Sequence, residues 1–169
     1  MMKKNTVLSL LLITALLATA TLARAEIPLN SFETNSYRNI ITRYQGDSFL
    51  LVLWSVDCPP CIEELPALAR FHQAHPEANL VMVSTDSKNQ QEDIKHLMDN
   101  HGLADIQQWV FDDDSVQAIR FAIDPLWYGE LPRSYFHHGN NKRQAISGRL
   151  DADVLSGWIK TINNRTAGI

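Results

Sequence analysis

Cys58 and Cys61 are the only cysteines among 169 residues, and they stand in the run Cys58-Pro59-Pro60-Cys61. Whatever covalent sulfur chemistry the chain performs therefore happens there. At i and i+3 of a helix two thiols lie one turn apart on one face, close enough to form and reopen a small disulfide. That makes the pair a reversible two-electron dithiol. At a helix start the first backbone N–H groups lack intrahelical partners and the dipole favours an anion, so Cys58 ionises more readily than a free thiol. Cys58 is expected to attack and Cys61, further into the helix, to resolve. A tetrahedral zinc site would need two further Cys or His ligands, and there is no second CxxC motif. A purely structural disulfide across so short a loop would constrain the unfolded chain little.

The elements that must hold this pair follow from the apolar pattern. Phe49-Leu50-Leu51-Val52-Leu53-Trp54 is a continuous apolar run of strand length, as expected of a strand buried on both faces, and it delivers the chain to the cysteines. Behind them Ile62, Leu65, Leu68 and Ala69 recur at helical spacing until Pro76 stops the helix near His75. Ahead of the run, Ser31 reads as the N-cap of a helix to about Tyr44, ended by Gly46. Leu80 to Val83 reads as a second buried strand and Gln91 to Asn100 as a helix closed by Gly102. Gln108 to Phe111 reads as a short strand and Ser115 to Phe121 as a helix. Arg133 to His138 and Lys142 to Ser147 flank a Gly139-Asn140-Asn141 turn, and a last helix starts at an Asp151 cap, running to about Asn163. Strands alternating with helices, closed by a hairpin and a helix, predict an α/β fold with a central mixed sheet flanked by helices.

The first residues read as an export signal. Lys3 and Lys4 form a charged start, Val7 to Leu22 is apolar, and Ala23-Arg24-Ala25 offers small residues for cleavage after Ala25. An uncleaved membrane anchor is the competing reading, although the run falls short of the usual span of about 20 residues. Cleavage leaves one domain, residues 26–169. It retains 12 basic residues against 19 acidic ones, a net charge of −7. So acidic a domain is a poor partner for nucleic acid or an anionic membrane surface. Export also implies an oxidising surrounding, in which a cysteine pair is a disulfide unless something keeps it reduced.

With the elements placed, the chain resembles the thioredoxin superfamily and, within it, the TlpA/ResA-like exported thiol-disulfide oxidoreductases. The likeness rests on the buried strand running into CxxC and on Cys61-Ile62-Glu63-Glu64-Leu65-Pro66, similar to the family's C-x-x-E-x-P. It rests further on Leu131-Pro132, where the fold carries a cis-proline before a strand, and on an extra helix-strand segment over about residues 86–111. The resemblance implies a thioredoxin fold with a TlpA-type insert, and a helix kinked at Pro66. It implies that Glu64 tunes the cysteines and passes protons; a solvent-pointing Glu64, like Glu63, is the alternative. If desolvated, Glu64 would take a proton from Cys61 near neutral pH. A cis Leu131–Pro132 bond would offer the Leu131 backbone to an extended partner segment, and an ordinary trans proline opening a strand is the alternative.

Some residues depart from the family's pattern. Relatives usually place an aromatic residue, often Trp, before the first cysteine, where this chain has Asp57. Its charge opposes a thiolate at Cys58, and Pro59 and Pro60 bring no N–H groups, leaving that of Cys61 as the donor nearest the sulfur. Both effects predict a reducing rather than a strongly oxidising pair. Val52 stands where thioredoxin has a buried acid. Between Phe121 and Pro132 the chain is several residues longer than thioredoxin, and Trp127 and Tyr128 there are expected either to grip a partner or to close the core. The six histidines are scattered, which predicts no shared metal site.

The expectation is an exported protein-disulfide reductase with no cofactor beyond its Cys58–Cys61 disulfide, acting as a monomer on protein disulfides. The resemblance implies apo-cytochrome c or copper-site assembly proteins as substrate classes, and a membrane thiol electron donor. A disulfide oxidase or isomerase runs the same chemistry backwards. A module holding Cu(I) between the two thiolates without turnover is the reading from another class.

Overall fold

The computed structural model describes residues 28–112, 116–139 and 142–166; the expected export signal and its cleavage point lie outside them. The chain begins with strand β1 (Leu29–Phe32), followed by helix α1 (Ser36–Arg43) and strand β2 (Phe49–Trp54). Helix α2 (Pro59–Ala74) and strand β3 (Asn79–Ser84) come next. A 3₁₀ turn (Lys88–Gln90) then leads into α3 (Gln91–Asn100), and β4 (Gln107–Phe111) follows. The chain ends with α4 (Val116–Ile123), the strands β5 (Arg133–His137) and β6 (Arg143–Ser147), and α5 (Ala152–Thr166).

The strands form one six-stranded sheet in the order β1-β4-β3-β2-β5-β6. The first four in that order run parallel, and β5 and β6 are each antiparallel to their inner neighbour, so the sheet is mixed as expected. All six β2 residues are buried because helices cover both faces. Leu50, Val52 and Trp54 pack under α2, α3 and α5; Phe49, Leu51 and Leu53 pack over α1 and α4. Burying each such side chain is worth roughly 1.5–3 kcal/mol, which is why this strand anchors everything attached to its end.

One expected boundary is wrong. Ser31 caps no helix; it lies inside β1, paired with Val110, and α1 begins five residues later. Phe32 decides the matter. Its side chain is buried, stacked on Phe111 with ring centroids 5.6 Å apart and edge-on to Trp109 at 5.8 Å, contacts that only an added edge strand provides. The Ser36 hydroxyl instead accepts from the Glu33 N–H at 2.9 Å and shapes the turn before the helix. The segment expected as an insert supplies the 3₁₀ turn, α3 and β4, and β4 lies between β3 and β1. Two residues of the expected Gly139-Asn140-Asn141 turn fall outside the described residues. Asp151 does cap α5, accepting the Val154 N–H at 2.8 Å.

Candidate active site

The end of β2 carries the chemistry. Cys58 is the N-cap of α2 and Pro59 and Pro60 fill its first two positions, where a missing N–H leaves nothing unpaired. Cys58 and Cys61 are joined as a disulfide with Cα atoms 5.2 Å apart. Cys58 is half-buried while Cys61 is fully buried beneath the helix, so an approaching group meets Cys58 first. With two prolines ahead of it, the Cys61 N–H is the one that reaches the Cys58 Sγ, at 3.3 Å, while also bonding the Cys58 carbonyl at 2.9 Å. Asp57 is exposed, and its carboxylate accepts from the Gln90 side-chain amide at 3.1 Å.

Glu64 follows Cys61 by three residues and shares its face of α2. It is 2 % exposed, unlike its neighbour Glu63, which is out in solvent paired with Arg149. Burial pushes the Glu64 carboxyl up to about 7, against the pull of the Leu150 N–H and the Arg149 guanidinium toward the ionised form. The Leu150 N–H donates to Oε1 at 2.5 Å and fixes the group's position. A buried acid that changes protonation near neutrality, one turn beyond Cys61, is suited to exchange a proton with it.

The Leu131–Pro132 bond is cis. Arg133 pairs with Leu53 across β2 and β5, so Pro132 lies opposite Trp54 at the sheet end from which the chain reaches Cys58. The Pro132 carbonyl is held by the Gly148 N–H at 2.9 Å.

The long loop before Pro132 divides its two aromatic residues. Trp127 is only 4 % exposed, its ring packed into the core under the Arg120 guanidinium at 5.5 Å and its Nε1–H donating to the Glu130 carbonyl at 2.9 Å. It closes the core, so the expectation of a partner-gripping Trp127 is corrected: the indole satisfies its one donor inside the loop and has no face left for a visitor. Tyr128 is 87 % exposed, and Leu126, two residues before it, and Phe121, in α4, are exposed as well. Gly129 adopts a φ of +98°, in the left-handed region that favours glycine.

Two acids escaped the sequence reading. Asp124 is buried at the base of the same loop, taking the Leu126 N–H at 3.1 Å, the Tyr135 hydroxyl at 3.1 Å and ion pairs from Arg133 and Arg143 at 3.3 Å each. Burial works against its ionisation, yet the Leu126 N–H, Arg143, Tyr135 and Arg133 together hold it below the ordinary carboxylate range. Asp86, just past the end of β3, is buried beside the chain segment that enters Cys58. The signal for it was position: an acid at the carboxyl end of a central strand, next to the strand carrying the cysteines.

The histidines do not gather. His137 is buried, stacked on Phe49 with centroids 4.1 Å apart and within 3.1 Å of the Tyr37 hydroxyl, and burial, helped by Arg143, pushes it down to about 4. His72 pairs with Asp105 and His75 with Glu77. Among the described residues no group of three or more His, Cys, Asp or Glu is arranged to hold a metal.

Comparison with known proteins gives this geometry a family. The model of the AhpC/TSA family matches residues 25–124, more than half of the chain, including both cysteines and Glu64. The chain belongs to that family. Among curated proteins it is 33 % identical over 91 residues to sporulation thiol-disulfide oxidoreductase A of Bacillus subtilis, an alignment covering 54 % of this chain and 47 % of the relative. It thus spans about half that relative's length. A secreted disulfide oxidoreductase of Mycobacterium tuberculosis superposes with a TM-score of 0.59 at 21 % identity, covering 71 % of this chain and 85 % of that one. StoA of Bacillus subtilis superposes at 0.52 with 24 % identity, covering 68 % and 84 %. The thioredoxin domain of a thiol-disulfide oxidoreductase from Bacteroides vulgatus gives 0.58 at 21 %, covering 73 % and 84 %. At these identities the superpositions establish the fold, which is the thioredoxin fold. Among the described residues of this family member, no helix is long and apolar enough to cross a membrane.

Proposed function

We propose that this chain is an exported thiol-disulfide oxidoreductase that reduces the disulfides of selected proteins. The observation that supports it most is the half-buried Cys58 at the start of α2, joined to a buried Cys61, with cis-Pro132 at the same end of the sheet. In the reduced protein the Cys58 thiolate attacks one sulfur of a partner disulfide; the partner's S–S bond breaks and its leaving thiolate takes up a proton. Cys61 then gives its proton to Glu64 and attacks the Cys58 sulfur. The mixed disulfide breaks, the partner leaves as a dithiol, and the Cys58–Cys61 disulfide remains with two electrons transferred. An external dithiol, for which a membrane thiol donor is the expected class, is oxidised in turn to regenerate the pair.

The partner's extended segment runs along the Leu131 backbone, and Tyr128, exposed on the adjoining loop, meets it. Trp127 supports that loop from below. The reducing direction is supported by Asp57 beside Cys58 and by the two prolines, which leave the Cys61 N–H as the backbone donor on the sulfur. The relative's name supports a thiol-disulfide oxidoreductase and the secreted neighbour's supports export. Protein disulfides, with apo-cytochrome c or copper-site assembly proteins as substrate classes, are what the family resemblance implies. Insulin reduction with a regenerating dithiol tests the activity. The wild type is expected to turn over and Cys58→Ser to be inactive; equal turnover by both would refute the assignment.

A further inference from the structure

Three hydrogen-bond donors converge on the buried side chain of Asp86, which is 8 % exposed. The Ser55 hydroxyl donates to Oδ1 at 2.6 Å; the Ser84 hydroxyl and the Val56 N–H donate to Oδ2 at 2.6 and 2.9 Å. Each hydroxyl oxygen in turn accepts a backbone N–H, Ser55 that of Asp57 at 3.1 Å and Ser84 that of Asp86 itself at 3.0 Å. Both hydroxyl hydrogens are thereby directed at the carboxylate. The Cys58 N–H closes the same turn onto the Ser55 carbonyl at 3.2 Å. Residues 55–58 are thus a turn wrapped around one carboxylate supplied by the neighbouring strand. Four residues after Asp86, Gln90 reaches back over the outside of the turn to the Asp57 carboxylate.

We propose that Asp86 is a positioning residue for the redox pair: it pins the turn that carries Cys58 and keeps a negative charge behind it, biasing the dithiol toward giving electrons. The role rests on the oxidoreductase reading of the pair. Structure alone would be served by an apolar contact, since Ser84 ends β3 opposite Trp54, Ser55 follows Trp54 directly, and the two strands are already bonded along their length. A carboxylate here instead needs three donors to offset its burial. What it adds is a fixed charge in a low-dielectric setting, bonded to the N–H of Val56, two residues before Cys58. Such a charge disfavours the thiolate and with it the reduced form of an oxidising pair.

The test is the equilibrium of the full chain with reduced and oxidised glutathione at pH 7, read by trapping thiols at a series of ratios. Asp86→Asn keeps the shape and removes the charge; it is expected to shift the equilibrium toward the dithiol by about tenfold, with near-UV circular dichroism unchanged. Ser55→Ala keeps the charge and loosens the turn; it is expected to leave the equilibrium within about twofold while slowing exchange at Cys58 several-fold. An Asp86→Asn equilibrium within about twofold of wild type would overturn the role of the charge. An unchanged exchange rate in Ser55→Ala would overturn the pinning, and if Asp86→Asn does not fold, Asp86→Ser, likewise uncharged, is read in its place for the role of the charge. If the wild-type pair itself fails to exchange with glutathione, the oxidoreductase reading falls, a result distinct from an exchanging pair indifferent to both substitutions.

Discussion

The Leu150 N–H donates to Glu64 Oε1 at 2.5 Å, so the segment between β6 and α5 holds the one buried acid of the cysteine helix in place. The link ties the C-terminal part of the chain to the face of α2 that bears Cys61. Leu150 and Glu64 are 86 residues apart in sequence, and the bond persists only in the assembled fold.

Glu64 should leave a mark on both stability and rate. Its folded pKa of about 7 lies above the ordinary 4.5, so between those values the folded state holds more protons than the unfolded one. The stabilisation is complete below the unfolded value and is lost as pH rises through about 7, a change of roughly 3 kcal/mol at about 1.4 kcal/mol per unit. Glu64→Gln is expected to flatten that part of a urea-unfolding series across pH. In single-turnover disulfide reduction it should also remove an inflection near neutrality, and a retained inflection would show that Cys61 passes its proton elsewhere.

His137 acts with the opposite sign. Its folded pKa of about 4 lies below the ordinary 6.5, so the unfolded state binds the extra proton between those values. The stability it contributes is present above the unfolded value and is lost as pH falls toward about 4, again by roughly 3 kcal/mol. His137→Gln should lower stability at pH 7 through lost stacking on Phe49 and reduce the loss of stability on acidification from pH 6.5 to 4.5. An undiminished acid loss would point to other groups.

Adjacent aromatics in the loop before Pro132 should behave differently. Trp127→Ala removes a buried ring and is expected to cost about 3–5 kcal/mol in equilibrium unfolding. Tyr128→Ala, at an exposed position, should stay within about 0.5 kcal/mol of wild type. It should slow reduction of a folded protein partner while leaving a small-molecule disulfide unaffected. Equal slowing of both would assign Tyr128 to the chemistry rather than to recognition.

Asp124→Ala takes from Arg133 and Arg143 the buried ion-pair partner they share at 3.3 Å, leaving Arg133 its pair with Glu130 and Arg143 its bonds to Tyr37 and Ile123. Removing one partner of a buried charge network is expected to cost about 3–5 kcal/mol. Asp124→Asn should recover part of this by keeping the Leu126 and Tyr135 hydrogen bonds. Identical unfolding midpoints for the two variants would show that charge pairing contributes all of it.

Local pattern made much of this legible. Phe49 to Trp54 was readable as a buried strand because all six residues are apolar, and Gln91 to Asn100 as a helix because Gly102 ends its period. The dithiol was readable from spacing; spacing put Glu64 on the face of Cys61, but its inward, proton-handling role came from resemblance. The cis bond before Pro132 came from resemblance alone. What escaped depended on contacts distant in the chain. Ser31 carries a capping signal, and only the Phe32 side chain, wedged against Trp109 and Phe111, turns that stretch into an edge strand. Trp127 and Tyr128 are neighbours of one chemical type, and the Arg120 guanidinium and the Glu130 carbonyl decide which goes inside. Asp86 acts on residues 30 and 31 positions away, across a strand pairing that no local pattern states.

The central claim is that Cys58 attacks a partner disulfide and Cys61 resolves the product. Expressing Cys61→Ser in the chain's own host, quenching thiols with acid and alkylating agent, and mapping what stays attached tests it most directly. Partner proteins joined through Cys58, released by reductant, and absent when Cys58 is replaced instead, are the expected result. Adducts carried by Cys61 in the Cys58→Ser protein, or none in either variant, would contradict it.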